Sequence, residues 1–253
     1  MMKYSPSYFK ETMPEWKRKK DSIVARYIHR PISFVFSSVF AEIGMTPNQV
    51  SFISLIIAIV SCIFFMTCGR IECIIGAVLV NLWSITDSAD GNMARSIGGK
   101  PYGDFIDATS SYFLVGFLMP ILGWVSYNSG GIIFKRYDGI IILLGCFAGV
   151  CDTMTRLFFQ KMKCNTFEIA MKSKNNDIIE EESIGNSGTI AKIHTIIESE
   201  FGLGGWNMVA IVLCSVYMSF DLYILFYLFF YGCLFILSTI YLIKKTRCLS
   251  SSV

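Results

Sequence analysis

Between residues 48 and 243 the chain repeats one pattern: an apolar run about as long as a bilayer is thick, then a short polar turn. A helix rises 1.5 Å per residue, so it needs about 20 mostly apolar residues to cross roughly 30 Å of hydrocarbon. Six runs meet or approach that length: 48–67, 71–94, 103–126, 139–160, 205–220 and 222–243. The fifth is the shortest and begins in the stretch Gly202, Gly204, Gly205. None alternates with period two, which argues against a β-barrel. Composition agrees: 53% of residues are apolar and only 16% are charged, against about 25% charged in a soluble domain. A disordered chain, a basic nucleic-acid-binding domain and a disulfide-stapled secreted module are excluded. The expected fold is an all-α integral membrane protein with six transmembrane helices. Residues 31–43, with Ile32, Phe34, Val35, Phe36, Val39, Phe40 and Ile43, suit an additional N-terminal interfacial helix lying on the membrane.

Basic residues orient the spans. With both termini cytoplasmic, the inner segments hold 18 Lys/Arg and the outer turns hold three: Arg70, Lys135 and Arg136. The positive-inside rule favours that arrangement. Residues 1–30 are polar and charged and resemble no cleavable leader. The run Lys17, Arg18, Lys19, Lys20 is expected at the headgroups, serving topology and attraction to anionic lipid. The expected organisation is a cytoplasmic or interfacial segment 1–47, a six-helix domain 48–245 and a tail 246–253. Within it, 161–204 reads as a cytoplasmic loop ending in an amphipathic helix, with Ile190, Ile193, Ile196, Ile197 and Phe201 on one face and His194 and Glu198 on the other. The nine cysteines show no metal-binding spacing; a Cys68–Cys73 bridge is the one pairing their positions allow across the first outer turn.

Ionisable residues inside spans are costly and therefore mark candidate sites. There are seven: Glu72, Asp87, Asp90, Asp104, Asp107, Asp152 and Arg156. All but Glu72 fall at one level. Asp87, Asp90, Gly91 and Ala94 share a face of the second helix, and Asp104, Asp107 and Ser111 share a face of the third. The turn 96–102 is short, so the two faces adjoin. Gly91 and Ala94 leave their face without bulk. Four carboxylates this close need a counter-charge. Oxygen ligands favour magnesium, manganese or calcium over zinc, and carboxylate-held magnesium commonly meets phosphate. Arg95 is suited to bind phosphate. A structural ion-pair network and a cation-coupled transporter are the alternatives that charge placement alone leaves open.

The string Asp87-Ser-Ala-Asp90-Gly91-Asn-Met-Ala94-Arg95, followed by Gly103 and Asp107, resembles the CDP-alcohol phosphotransferase motif D-x2-D-G-x2-A-R-x8-G-x3-D-x3-D. Thr46-Pro47-Asn48 is similar to that family's entry into its first helix. The resemblance implies two divalent ions, Mg2+ or Mn2+, on Asp87, Asp90 and Asp107. It implies a CDP-alcohol donor positioned by Asn48, Gly91, Ala94 and Arg95, a membrane-embedded acceptor, and release of CMP. Two departures stand out. Seven residues, not eight, separate Arg95 from Gly103, and the fourth aspartate, the implied general base, is Ser111.

A serine is not a base at neutral pH, and losing a positioned base costs about 10²–10⁴ in rate. Three accounts follow. Asp104 replaces the base from about 10 Å away along the helix axis. Or the acceptor is a lipid phosphate, already ionised, whose extra phosphate Arg156 binds. Or the chain has lost catalysis and serves as a scaffold. Arg156 also has a plain alternative role, an ion pair with Asp152 one turn before it. Apolar faces of the later helices suit a homodimer.

Overall fold

The computed structural model describes residues 4–99, 101–173 and 199–250, and among them no strand occurs. Two short helices, α1 (Pro6–Glu11) and α2 (Glu15–Lys20), lead through a π-helical turn at Ala25–His29 into α3 (Arg30–Glu42). Six further helices follow: α4 (Pro47–Met66), α5 (Arg70–Met93), α6 (Gly103–Ser129), α7 (Ile140–Ser173), α8 (Asn207–Tyr217) and α9 (Phe220–Ser250). A second π-helical turn, Ala94–Gly98, extends α5.

Five helices are long and apolar enough to span a bilayer: Pro47–Met66, Arg70–Gly98, Gly103–Ser129, Ile140–Ile169 and Phe220–Lys244. The fifth apolar run contributes only α8, whose 11 residues reach about 16 Å. Glycine-rich turns precede α8, and Met218 ends it in the left-handed conformation with φ 54°. Two expected boundaries shift. Residues 161–173 are not loop but continue α7, because no Gly or Pro interrupts the chain from 150 to 173. Likewise α9 runs through the expected tail to Ser250. Residues 190–198, with His194 and Glu198, lie outside the described residues. Phe201 is described, and its ring meets Phe230 at 5.5 Å between centroids. Cys68 and Cys73 are both free thiols.

Local chemistry sets the entry to the bundle. Thr46 caps α4: its hydroxyl accepts from Gln49 N, and Gln49 Oε1 accepts from Thr46 N at 2.8 Å. Pro47 follows at the first helical position, where its missing N–H costs nothing. The α6–α7 crossing depends on glycine. A Cβ at Gly145 would lie 2.6 Å from Met119 O, so only a bare backbone permits that approach. The main core joins Phe65, Val80, Trp83, Leu118, Ile211 and Tyr227 from five helices.

A second core places the N-terminal segment against the aspartate-bearing end of the bundle. Phe9 and Met13 pack with Phe34, Val50, Ala89 and Met93. On α3 the polar residues turn inward: Ser33, Ser37 and Ser38 are buried, while Ile32, Val35, Val39 and Ile43 are exposed. Ser37 hydroxyl donates to Ala89 O at 3.2 Å, and Asn92 Nδ2 donates to Ser33 Oγ at 3.1 Å. The exposed apolar face is the one that the expected interfacial helix would turn to lipid.

His29 is buried between Asn81 Oδ1 and Ser84 Oγ, both at 3.3 Å. Burial holds its pKa below the ordinary 6.5, with Arg30 adding to the effect and the Asn81 hydrogen bond opposing it. The unfolded chain therefore takes up this proton more readily than the folded one, and stability falls as pH drops through about 6.5. The expected result is a falling melting temperature in detergent between roughly pH 7 and pH 5, with a shallower slope in His29→Gln. Equal slopes for the two proteins would assign the effect elsewhere.

Candidate metal and phosphate site

Two helices bring the expected ligands together. Asp87 and Asp90 lie one turn apart on α5, and Asp107 lies in the second turn of α6. One carboxylate oxygen from each falls within 4.8 Å of the others. Their surroundings differ. Asp90 is buried and accepts the Ser51 hydroxyl of α4 at 2.5 Å. Asp107 is exposed, and Asp87 is intermediate. Oδ1 of Asp87 is buried without a hydrogen-bond partner, and so is Oδ1 of Asn48. The Asn48 amide donates to Pro101 O at 3.4 Å, and a Cβ at Gly103 would sit 3.2 Å from Asn48 Oδ1. Gly103 thus leaves that buried oxygen uncrowded by a side chain.

These residues fit a hard divalent cation. The donors are all oxygen, three carry charge, and one has no partner within the protein. Without a cation, three carboxylates at this separation repel one another.

Arg95 sits beside the trio. Its guanidinium folds over Gly91, where a Cβ would lie 3.1 Å from Nη1. The space that Gly91 leaves without bulk is therefore held by the motif's own arginine. Nη2 of Arg95 donates to Asn92 Oδ1 at 3.1 Å, and the same oxygen accepts Arg30 Nη1 at 3.1 Å. Ala94 begins the π-helical turn, half-buried.

A cavity of about 340 Å³ opens next to the trio, with Asp87, Ser111, Arg156, Arg30, Lys17 and Asp21 in its walls. Ser111 thus shares a cavity with a metal-ligand candidate. Asp104 is exposed in the first turn of α6 and lies outside this lining. Arg156 does both things its position allows. Its Nε donates to Asp152 Oδ1 at 2.7 Å, one turn back on α7, and the side chain still borders the cavity. Tyr227 hydroxyl donates to the other Asp152 oxygen at 2.5 Å.

Lys17, Asp21 and Arg30 were not expected here. Arg30 Nε and Nη2 donate to Asp21 at 2.7 and 3.0 Å, and Lys17 Nζ lies 3.4 Å from the same carboxylate. Burial, and then Arg30, hold Lys17 below the usual lysine pKa, while Asp21 acts the other way. The i,i+4 spacing of Lys17 and Asp21 hints at their pairing, but nothing local relates either residue to α5 or α6.

A family model described as CDP-alcohol phosphatidyltransferase matches residues 44–172, just over half of the chain. The chain belongs to the CDP-alcohol phosphatidyltransferase family. The matched region holds Asn48, all three clustered aspartates, Arg95, Ser111 and Arg156. Family members are transferases of phosphorus-containing groups and generally depend on divalent metal. No individually curated protein matches the sequence. Within this CDP-alcohol phosphatidyltransferase-family chain, Lys17, Asp21 and Arg30 precede the matched residues, and α8 and α9 follow them.

Proposed function

We propose that this chain transfers a phospho-alcohol or phospho-sugar group from a CDP-type donor to a lipid phosphate, on the cytoplasmic face of the membrane. The observation that carries the acceptor assignment is the shared cavity of Asp87, Ser111 and Arg156. Where the family motif has a carboxylate, this wall has a neutral hydroxyl, and a guanidinium stands in the same cavity. Such a wall suits an anionic acceptor better than an alcohol that must lose a proton.

Asp87, Asp90 and Asp107 would hold one or two Mg2+ or Mn2+ ions, with the partnerless Asn48 Oδ1 close to Gly103 beside them. Bound there, the metal would neutralise pyrophosphate charge and ease departure of the nucleotide. Arg95 and Asn48 position the donor's phosphates. An oxygen of the acceptor phosphate attacks the donor's β-phosphorus. A new P–O bond forms there, and the bond from that phosphorus to the oxygen bridging the α-phosphorus breaks. CMP departs with the electron pair. The attacking oxygen carries no proton, so no base is needed and the product is a pyrophosphate-linked lipid. With total charge conserved, four negative charges enter and four leave.

A donor-by-acceptor matrix on the purified protein tests this, reading released nucleoside monophosphate with magnesium or manganese present. The expected outcome is turnover of a polyprenyl phosphate and none of diacylglycerol or a soluble polyol, with Asp107→Ala silent. Turnover of the plain alcohols would overturn the acceptor assignment. Substrate uptake without nucleotide release would indicate a transporter.

A further inference from the structure

The N-terminal segment is tied across the aspartate end of the bundle at two points. Tyr8 hydroxyl donates to Ser96 O at 2.9 Å, in the turn after α5. Ser22 hydroxyl donates to Gly204 O at 2.8 Å, in the turn before α8. Between these tethers the segment contributes Lys17, Asp21, Ser22, Ala25 and Arg30 to the cavity wall.

The cavity's three cations differ in how fully they are partnered. Arg30 has Nε and Nη2 on Asp21 and Nη1 on Asn92. Arg156 has Nε on Asp152. Lys17 meets Asp21 at 3.4 Å, but both oxygens of that carboxylate already accept from Arg30. One carboxylate on the N-terminal segment thus faces two cations, and Lys17 is turned toward the cavity within electrostatic reach of Asp87 and Asp107. An ammonium has three donors, and Asp21 satisfies Lys17 only in part. The side chain is 28% exposed, enough to meet a ligand and little enough to be poorly hydrated. Burial and Arg30 already make its charge costly, and an anion in the cavity would lower that cost.

We propose that Lys17, positioned by Asp21, binds the phosphate monoester of the acceptor together with Arg156. The inference rests on the reading that the acceptor carries such a group. Lys17 lies outside the family-matched residues, so the specificity belongs to this chain's own N-terminal segment. A compact ammonium suits a terminal phosphate, whereas Arg30 is locked as a flat fork on Asp21.

Binding is measured first, so that the test does not depend on turnover. Inorganic phosphate is titrated calorimetrically into the metal-free, full-length protein in detergent. Lys17→Met is expected to weaken binding tenfold or more, roughly 1.4 kcal/mol, and Lys17→Arg to retain it. Lys19→Met, an exposed side chain paired only loosely with Glu15 at 3.8 Å, is the control and should bind as wild type. Competition then separates two sources of the same chemistry: a short-chain prenyl phosphate in micelles and water-soluble glycerol phosphate. In turnover, Lys17→Met should raise the acceptor KM by a similar factor, with kcat and the donor KM unchanged.

Equal phosphate binding by wild type and Lys17→Met overturns the proposal. So does a phosphorylated acceptor whose KM ignores Lys17, although the acceptor class would then stand. Lys17-dependent phosphate binding with turnover of plain alcohols alone would instead leave the anion site standing and sink the acceptor class.

Discussion

Asp90→Ala is expected to reduce transfer by about 10³-fold or more. A catalytic metal contributes several kcal/mol of charge stabilisation, and about 4 kcal/mol corresponds to three decades in rate. Asp90 is the most constrained of the three aspartates. It is buried on α5 and held by the Ser51 hydroxyl of α4 at 2.5 Å, so neither Asp87 nor Asp107 can move into its place. Asp90→Asn separates the chemical effect from a folding defect. The amide keeps an acceptor for Ser51 and removes one of three mutually repelling charges. Metal-free Asp90→Asn should therefore melt no lower than wild type. The stabilisation that wild type gains from added magnesium or manganese should shrink or vanish in the variant. Thermal melts with and without metal, beside the nucleotide-release assay, check both halves. Full activity and an intact metal-dependent shift in Asp90→Asn would show that the metal is held elsewhere.

Ser111→Asp should move the protein toward the family's usual alcohol chemistry. Ser111 is half-buried and borders the cavity with Asp87. A carboxylate there could accept the proton of an attacking hydroxyl, a function worth about 10²–10⁴ in rate. The expected result is measurable alcohol-acceptor turnover where wild type has none. Turnover with a lipid phosphate should fall in the same variant, because the new carboxylate repels that acceptor beside Asp87. The same acceptor panel, run on both proteins, reads the two changes together. An unchanged acceptor profile would mean that Ser111 does not face the acceptor. Loss of lipid-phosphate turnover with no gain elsewhere would place the residue at the acceptor while denying it the base's geometry.

How much of this was legible beforehand depends on the range of each interaction. Asp87 and Asp90 share a helix face by spacing alone, and a short turn carries that face to Asp107. The Asp152–Arg156 pair is equally local, one helical turn apart. The Ser51 hydroxyl on Asp90 is not local: it depends on how α4 crosses α5. Lys17 illustrates the limit best. In the sequence it belongs to a basic run that suggests only headgroup attraction. In the fold, the burial of Phe9 and Met13 against Val50, Ala89 and Met93 brings α1 and α2 over the aspartates, and Lys17 becomes part of a cavity wall. The fifth apolar run shows the converse. Its composition is that of a span, but α8 extends for only 11 residues.

By itself, the sequence determined the all-helical membrane fold, and it pointed to the aspartate trio and to a serine at the position where the motif register expects a fourth acid. Each rests on apolar length, helical spacing or motif register, properties of residues near one another along the chain. Only the tertiary structure decided which hydroxyl holds Asp90, that Arg95 covers Gly91, and that an N-terminal lysine and arginine enter the cavity shared by Ser111 and Arg156. Apart from Arg95 over Gly91, one helical turn apart, those contacts join segments separated by dozens of residues, and they depend on helix crossings and on a second small core that no local pattern encodes.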